Sequence, residues 1–427
     1  MFTSENEILT SIIIGLEDNY TITWNPVFHR LRCNGHIINL SAQSFLFPDL
    51  AAVDEEAILK DISGQFQPPK DLTEEEMRAW RRKGPLGKIH NIVVYIQRST
   101  QRTEAFKALL EANGLGLTRD NATRWNSWFR MLERALRLIE AVKVYCFKSG
   151  SALAEDTLSN QEWDDLRKLT KFLEAYSDAT QASEGRFATL DIILPTMDFL
   201  LETLETGKTE AEATDDTFLA LCCNAGWAKL NKYYTLTERS AAFIAAIVMC
   251  PQFKWQYVSD MQWPEDWIET ARITVQKMWE SEYKGSQVPE LPLFSEDITD
   301  SSKRENSFYK WQKQKRTAPT IQDEYRKYIN SPTVETQDPR AWWLEATQRN
   351  NFPNLSKMAL DLLSIPAMSA EVERLFSSCK ITITDRRNQI GIDSVEAIEC
   401  LKSWMRKNNI NFVDSEVEDL FSLLEPV

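Results

Sequence analysis

Three groups of side chains in this sequence have the types and spacing to do chemistry. Cys33 and His36 stand three residues apart with His29 four residues before the cysteine, a set of soft and borderline ligands that could approach a transition metal. The chain has only three histidines, His29, His36 and His90, and no Cys-x-x-Cys pair, so no fourth ligand is visible and no zinc site is expected. Glu373 is a carboxylate set beside Ser377, off the apolar stripe formed by Val372, Leu375, Phe376 and Cys379. Such an oxygen ligand suits a hard divalent cation, whereas read alone it is a surface helix glutamate pairing with Arg374 or Lys380. The third group is a run of cations interleaved with aromatic rings between residues 78 and 148.

That run stands against the balance of the whole chain. Over 427 residues, 63 Asp and Glu face 49 Lys and Arg, a net charge of -14 that by itself argues against a polyanion as partner. Residues 78–148, however, hold 15 Lys and Arg and five acids, a local net of +10, leaving -24 elsewhere. Trp80, Tyr95, Trp125, Trp128 and Phe129 lie among these cations, the mixture that phosphate contact and base stacking require. Arg81, Arg82 and Lys83 form its densest knot, and Arg124 precedes Trp125. The competing reading is a solvated helix face beside ordinary core aromatics, with Trp125 packed against the helix that follows it.

Helices must position these groups, because the apolar spacing is mostly 3 and 4. The pattern predicts helices over 4–16, 36–47, 71–83, 126–147, 159–178, 188–206, 216–233, 236–250, 265–283, 321–329, 339–350, 368–380 and 393–405. The 71–83 segment runs from Glu74-Glu75-Glu76 to Arg81-Arg82-Lys83, along its own dipole, and Gly84-Pro85 stops it. Asp393 and Glu396 form a capping box ahead of Ile398, Leu401 and Trp404. Residues 28–33 and 381–384 are candidates for extended structure. The Trp342-Trp343 pair reads as core, and the acidic stretches 154–165 and 209–216 as solvated helix ends. Residues 284–320, rich in Ser, Asp, Glu and Pro, read as a linker or long loop.

An apolar fraction of 43% with 26% charged residues describes a globular chain with ample core material. The longest apolar run, Ala241 to Cys250, is about half what a membrane-crossing helix needs. Seven scattered cysteines suit a reducing compartment, with no disulfide framework and no secretory leader expected.

Four ordered motifs carry a family resemblance. Ser369-Ala370-Glu371-Val372-Glu373-Arg374-Leu375-Phe376-Ser377-Ser378, with the Asp385-Arg386-Arg387 turn and the Val395–Trp404 helix, resembles the C-terminal region of hAT-superfamily DNA transposases. Arg32 to Leu40 resembles their Cys-x-x-His block, Gly84 to Arg98 the next stretch along the chain in fungal members, and Thr123-Arg124-Trp125-Asn126-Ser127 their Arg-Trp motif. The resemblance covers nearly the whole chain. It implies a mainly α protein with a small α/β part, namely an incomplete ribonuclease-H-like core interrupted by a large all-helical insertion. The expected division is a core remnant over 1–50, the insertion over 51–283, the linker over 284–320, and a C-terminal dimerisation region over 321–427 that completes the core.

The resemblance also assigns roles. In the family, three carboxylates hold two divalent metals, Mg or Mn, for DNA strand cleavage and transfer. Glu373 matches the third. The two aspartates belong upstream of Cys33, where only 32 residues are present, and Ser4-Glu5-Asn6-Glu7 resembles the residues just after the second of them. Glu5, Glu7 and Asp18 lack the strand that would fix them, so the expectation is a protein truncated at its N-terminus, without the family's zinc finger, not an enzyme, and with no cofactor. Trp125 and Arg124 match residues that contact an extruded base, and His36 one that contacts the DNA end. Val372, Leu375, Phe376, Ile398, Leu401 and Trp404 supply apolar stripes for association or core closure. A homodimer or higher homo-oligomer in the nucleus is expected, with DNA as a possible partner and neither membrane nor small-molecule substrate. The alternative is a fragment of an active cut-and-paste transposase whose N-terminal part is missing.

Overall fold

The computed structural model describes residues 31–48, 74–110, 114–119, 125–185, 187–237, 240–285, 323–369, 378–379, 382 and 391–406. The chain divides into two compact units, residues 1–367 and 368–427. Among the described residues no strand ladder forms. One isolated antiparallel bridge joins Thr189 to Pro366.

The first unit begins with α1 (Asn34–Leu46), α2 (Glu74–Arg81), α3 (Pro85–Gln97), α4 (Thr100–Lys107), α5 (Trp125–Arg137) and α6 (Ile139–Lys148). Three long helices come next, α7 (Asn160–Glu184), α8 (Ile193–Ala213) and α9 (Thr217–Thr237). Helix α9 lies against both α8 and α1, and α7 touches α1, α3, α5 and α8, so α7 is the pillar of this half. Its N-terminus carries a capping box, in which Ser159 Oγ accepts from the Glu162 N–H and the Glu162 carboxylate accepts from the Ser159 N–H. Several polar groups inside the bundle are paired across helices. The Asn34 amide donates to Ser183 Oγ and Thr196 Oγ1, both at 2.8 Å, and Ser41 Oγ meets Tyr176 Oη at 2.9 Å. Leaving such buried groups unpaired would cost about 1–3 kcal/mol each.

The other half of this unit is built on α10 (Ala241–Met249), whose residues are all buried. Around it lie α11 (Gln256–Asp260), α12 (Glu265–Met278) with a π turn Trp279–Tyr283, α13 (Glu324–Ile329), α14 (Pro339–Leu344), α15 (Ala346–Asn351) and α16 (Leu355–Leu363). An all-apolar helix must be covered on every side, and α12 and α16 pack on it while α14 packs on α16. The Met249 carbonyl accepts from Trp343 Nε1 at 2.7 Å and from Tyr328 Oη at 3.1 Å. Lys254, 3% exposed, reaches three more carbonyls: its Nζ donates to Tyr328 O (3.0 Å), Ser331 O (2.8 Å) and Pro332 O (2.9 Å).

Several expected elements differ. The 126–147 helix is two, because the backbone breaks at Leu138 (φ −110°, ψ 21°). The break separates two burial directions: Trp128, Met131 and Leu132 of α5 belong to the face towards α1 and α7, whereas Tyr145 of α6 meets Phe106 of α4 edge-on at 5.6 Å. The 339–350 segment also splits, at Glu345 (ψ 138°). The first compact unit ends at Ala367, and within it α16 packs on α10 and α14 on α16, while Tyr328 of α13 donates to the Met249 carbonyl. Trp343 is buried, as the paired tryptophans predicted, and Trp342 is partly so. The 4–16 helix, residues 28–30 of the expected strand and the bulk of the linker lie outside the described residues; residues 31–33 form no strand, and Thr382, placed in an extended stretch by sequence, is helical.

In the second unit α17 (Ile392–Arg406) realises the expected C-terminal helix. Its Glu399, 4% exposed, accepts from Thr382 Oγ1 at 3.0 Å and from Lys402 Nζ at 2.7 Å.

Candidate nucleic-acid interface

The basic segment folds as a corner and then a face. Helix α2 is acidic in its first turn and basic in its last, and it ends at a turn in which Gly84 takes φ 67°. Pro85 then opens α3, where its missing N–H costs nothing. The two helices meet so closely that a Cβ on Gly87 would sit 1.7 Å from the Trp80 carbonyl oxygen, so only glycine fits.

Arg81 is committed to this corner. Its Nε and Nη2 grip the two oxygens of Asp156 at 3.0 and 2.7 Å, while Nη1 reaches Glu74 at 3.0 Å and Glu155 at 2.6 Å. Asp156 is fully buried, and Asn91 Nδ2 donates to it at 2.8 Å. The hydrogen bond to Asp156 leads the interactions that hold the Arg81 guanidinium above its ordinary range. Sequence reasoning took Asp156 for part of a solvated helix end. It is instead the buried anchor of the corner, and only the tertiary pairing reveals it.

Lys83 Nζ sits 3.7 Å from the Trp80 ring centroid, a cation–π contact, and Trp80 in turn stacks on His90 at 3.9 Å. Arg82 is exposed. Of the knot Arg81-Arg82-Lys83, therefore, one side chain is locked in ion pairs, one lies over a ring and one faces solvent.

Trp125 opens α5 and is 3% exposed, with its ring 6.0 Å from Tyr176 and 6.2 Å from Phe129. Its backbone N–H is capped by Asn39 Oδ1 at 3.2 Å. The expectation that this ring faces DNA meets a side chain packed in the core, and stacking on a base would require it to leave. Arg124 lies outside the described residues. His36, by contrast, is exposed on the first turn of α1. Cys33 is half-buried, and His29 lies outside the described residues.

Many cations of the segment are neutralised. Lys88 pairs with Glu162 at 2.7 Å, Lys107 with Glu104 at 3.0 Å and Lys143 with Glu140 at 3.5 Å, and Arg137 pairs with Glu133. Glu74, Glu155, Asp156 and Glu162 lie outside residues 78–148 in sequence yet are brought to them by the fold, so the local excess of +10 overstates the field. Arg82, Arg119, Arg130 and Lys148 are exposed. Among the described residues these four form no ion pair, and neither does the half-buried Arg134. Arg130, Arg134 and Arg137 recur at i, i+4 and i+7 along α5, one turn apart on one face.

Glu373, Val372, Leu375 and Phe376 lie outside the described residues. Among the described residues no group of three or more His, Cys, Asp and Glu could hold a metal ion. On α17, Ile398 and Leu401 are half-buried, and Trp404 is 47% exposed.

Two family matches bear on these elements. Residues 31–172, spanning α1 to α6 and the first half of α7, match the ZBED1 RNase-like helical domain. Residues 324–405, from α13 through α17, match the hAT family C-terminal dimerisation region. Both matches support a transposase-derived protein of the hAT kind. Similar proteins include the putative transcriptional regulator tpeD of Talaromyces stipitatus, 26% identical over 87% of this chain and 41% of that protein. The zinc finger BED domain-containing protein DAYSLEEPER of Arabidopsis thaliana is 24% identical over 69% of this chain and 41% of its own length. The putative AC transposase of Zea mays is 22% identical over 94% and 47%. The chain thus spans less than half the length of these relatives.

The match to the hAT C-terminal dimerisation region includes α17 up to residue 405. No helix of the described residues is long and apolar enough to cross a membrane.

Proposed function

We propose that this chain is a nuclear, DNA-associated hAT protein that self-associates through residues 324–405 and binds DNA non-specifically through α5 and its neighbours, without strand chemistry of its own. The observation that carries the association is Trp404, a large ring left 47% exposed inside the region that matches the family's dimerisation domain. Ala397, Leu401 and Trp404 fall at i, i+4 and i+7 on α17, and a second copy of this ridge covers it by two-fold symmetry. Sedimentation of the purified chain tests this: a dimer that Trp404→Glu converts to a monomer supports it, and a wild-type monomer at micromolar concentration ends it.

DNA binding rests on the arginines that meet no acid among the described residues, Arg82, Arg119, Arg130 and Arg134. Counterion release makes such binding steeply salt-dependent, with affinity falling about tenfold or more as salt rises several-fold. A gel shift at low salt that shows no retardation would remove this part of the reading. That the chain performs no strand chemistry is part of the same proposal, and the cleavage assay below tests it; metal-pair chemistry needs several carboxylates, and Glu373 is the residue matched to one of them. The ribonuclease-H-like core with its helical insertion belongs to the same proposal, supported by the match over 31–172.

A second reading comes from the length of the relatives: this chain as part of a longer, active transposase. Mg²⁺-dependent cleavage of terminal-repeat DNA by the purified chain, abolished in Glu373→Ala, would establish it.

A further inference from the structure

A cavity of about 330 Å³ opens between α3, α4, α5 and the segment 114–119. Ile96, Phe106 and Leu117 give it an apolar floor, Thr103 and Thr118 add hydroxyls, and Arg134 closes one wall. The segment over it is tied down, because Gln97 Nε2 donates to the Leu117 carbonyl at 2.7 Å. Lys107 also lines the cavity, and among the described residues no acidic side chain does. Leu115 at its lip is 70% exposed, an apolar side chain without cover.

We propose that this cavity receives one unpaired nucleotide of single-stranded nucleic acid, its base against the apolar floor and its phosphate on Arg134. The inference rests on the DNA-binding reading above and sharpens it. Three features carry it. The volume accommodates a single planar ring with its sugar rather than a duplex. Arg134, which meets no acid among the described residues, puts a cation on the wall, as an anionic backbone requires. Arg130 stands one helical turn from Arg134, about 6 Å along α5, so a strand lodged in the cavity continues onto a second exposed cation. A base enters such a site only when it is unstacked and unpaired, which a single strand offers at little cost.

Gly116 makes the inference testable without disturbing the fold, since a Cβ there meets nothing within 4 Å. Gly116→Phe places a ring at the cavity mouth. Fluorescence anisotropy at low salt, with a labelled single-stranded oligodeoxynucleotide and the corresponding duplex, reads the effect. Wild type binds the single strand about tenfold tighter than the duplex, the order expected for seating one base. Gly116→Phe removes that preference and leaves duplex affinity unchanged, and Arg134→Gln weakens single-strand binding more than duplex binding. Equal affinity of wild type for both forms, or a preference that survives Gly116→Phe, overturns the cavity assignment while leaving the DNA reading intact. Absence of binding to either form sinks the DNA reading itself. Loss of an acidic amphipathic peptide's binding in Gly116→Phe, with no single-strand preference in wild type, reassigns the cavity to a protein partner and overturns the proposal.

Discussion

The corner of α2 and α3 and the outer face of α5 are both rich in arginine, yet they use it in opposite ways. At the corner, Arg81 meets Asp156, Glu155 and Glu74, and Lys83 lies over Trp80. On α5, Arg130 and Arg134 meet no acid among the described residues. The difference is one of neighbours brought in by the fold, since Glu155, Asp156 and Glu162 arrive from the approach to α7. Charge read along a sequence is therefore not the charge a ligand meets.

The sharpest way to break this comparison is to remove the corner's anchor. Asp156→Ala leaves Arg81 without its buried partner and Asn91 with the Met77 carbonyl as its remaining acceptor, and should destabilise the first unit by about 3 kcal/mol or more, read by urea unfolding. A change near zero would show Arg81 to be as free as Arg130. Lys254→Met should cost about 2–3 kcal/mol, because it strips the donor from the Tyr328, Ser331 and Pro332 carbonyls. That loss would show that a cation can be wholly structural even when no acid accompanies it.

Alkaline pH sharpens the comparison for neutral groups. Burial pushes Tyr325 up to about 12 and holds Tyr176, Tyr257 and Tyr328 above the usual tyrosine range as well. An unfolded tyrosine ionises near pH 10, so above that pH the unfolded state has shed protons the native state keeps. Stability present below pH 10 is then lost as pH rises towards 12, and unfolding midpoints measured across that window should fall, with a fraction of the tyrosine absorbance staying that of the phenol until the chain opens.

The smallest effects are expected on α5. Arg130→Gln should change stability by less than about 0.5 kcal/mol while lowering the salt slope of DNA binding by about one. Arg81→Gln should do the reverse, acting mainly on stability. If both act on binding alone, the division between corner and face fails.

The helices were legible wherever an apolar stripe had one partner surface. The 3 and 4 spacing of α7 to α9 and the all-apolar run of α10 were read correctly, though α7 and α8 extend further than their stripes suggested. Leu138 and Glu345 show where the reading stops. Neither break carries a proline or glycine, because each arises when successive turns must face different neighbours, which no local pattern encodes. The site was less legible for the same reason. Arg81 and Arg82 are adjacent and chemically alike, and nothing in the chain distinguishes the buried one from the exposed one. Trp125 matched an Arg-Trp motif and is nevertheless core, held by Tyr176 some fifty residues away.

What the sequence by itself determined is the kind of protein: helical by periodicity, locally basic by composition, and hAT-like by four ordered motifs. Those properties are local or additive, and they survive being read one segment at a time. The tertiary structure alone decided which cations remain available, since a charge is cancelled by whatever stands within a few ångströms of it, and Asp156 lies 75 residues from Arg81 along the chain.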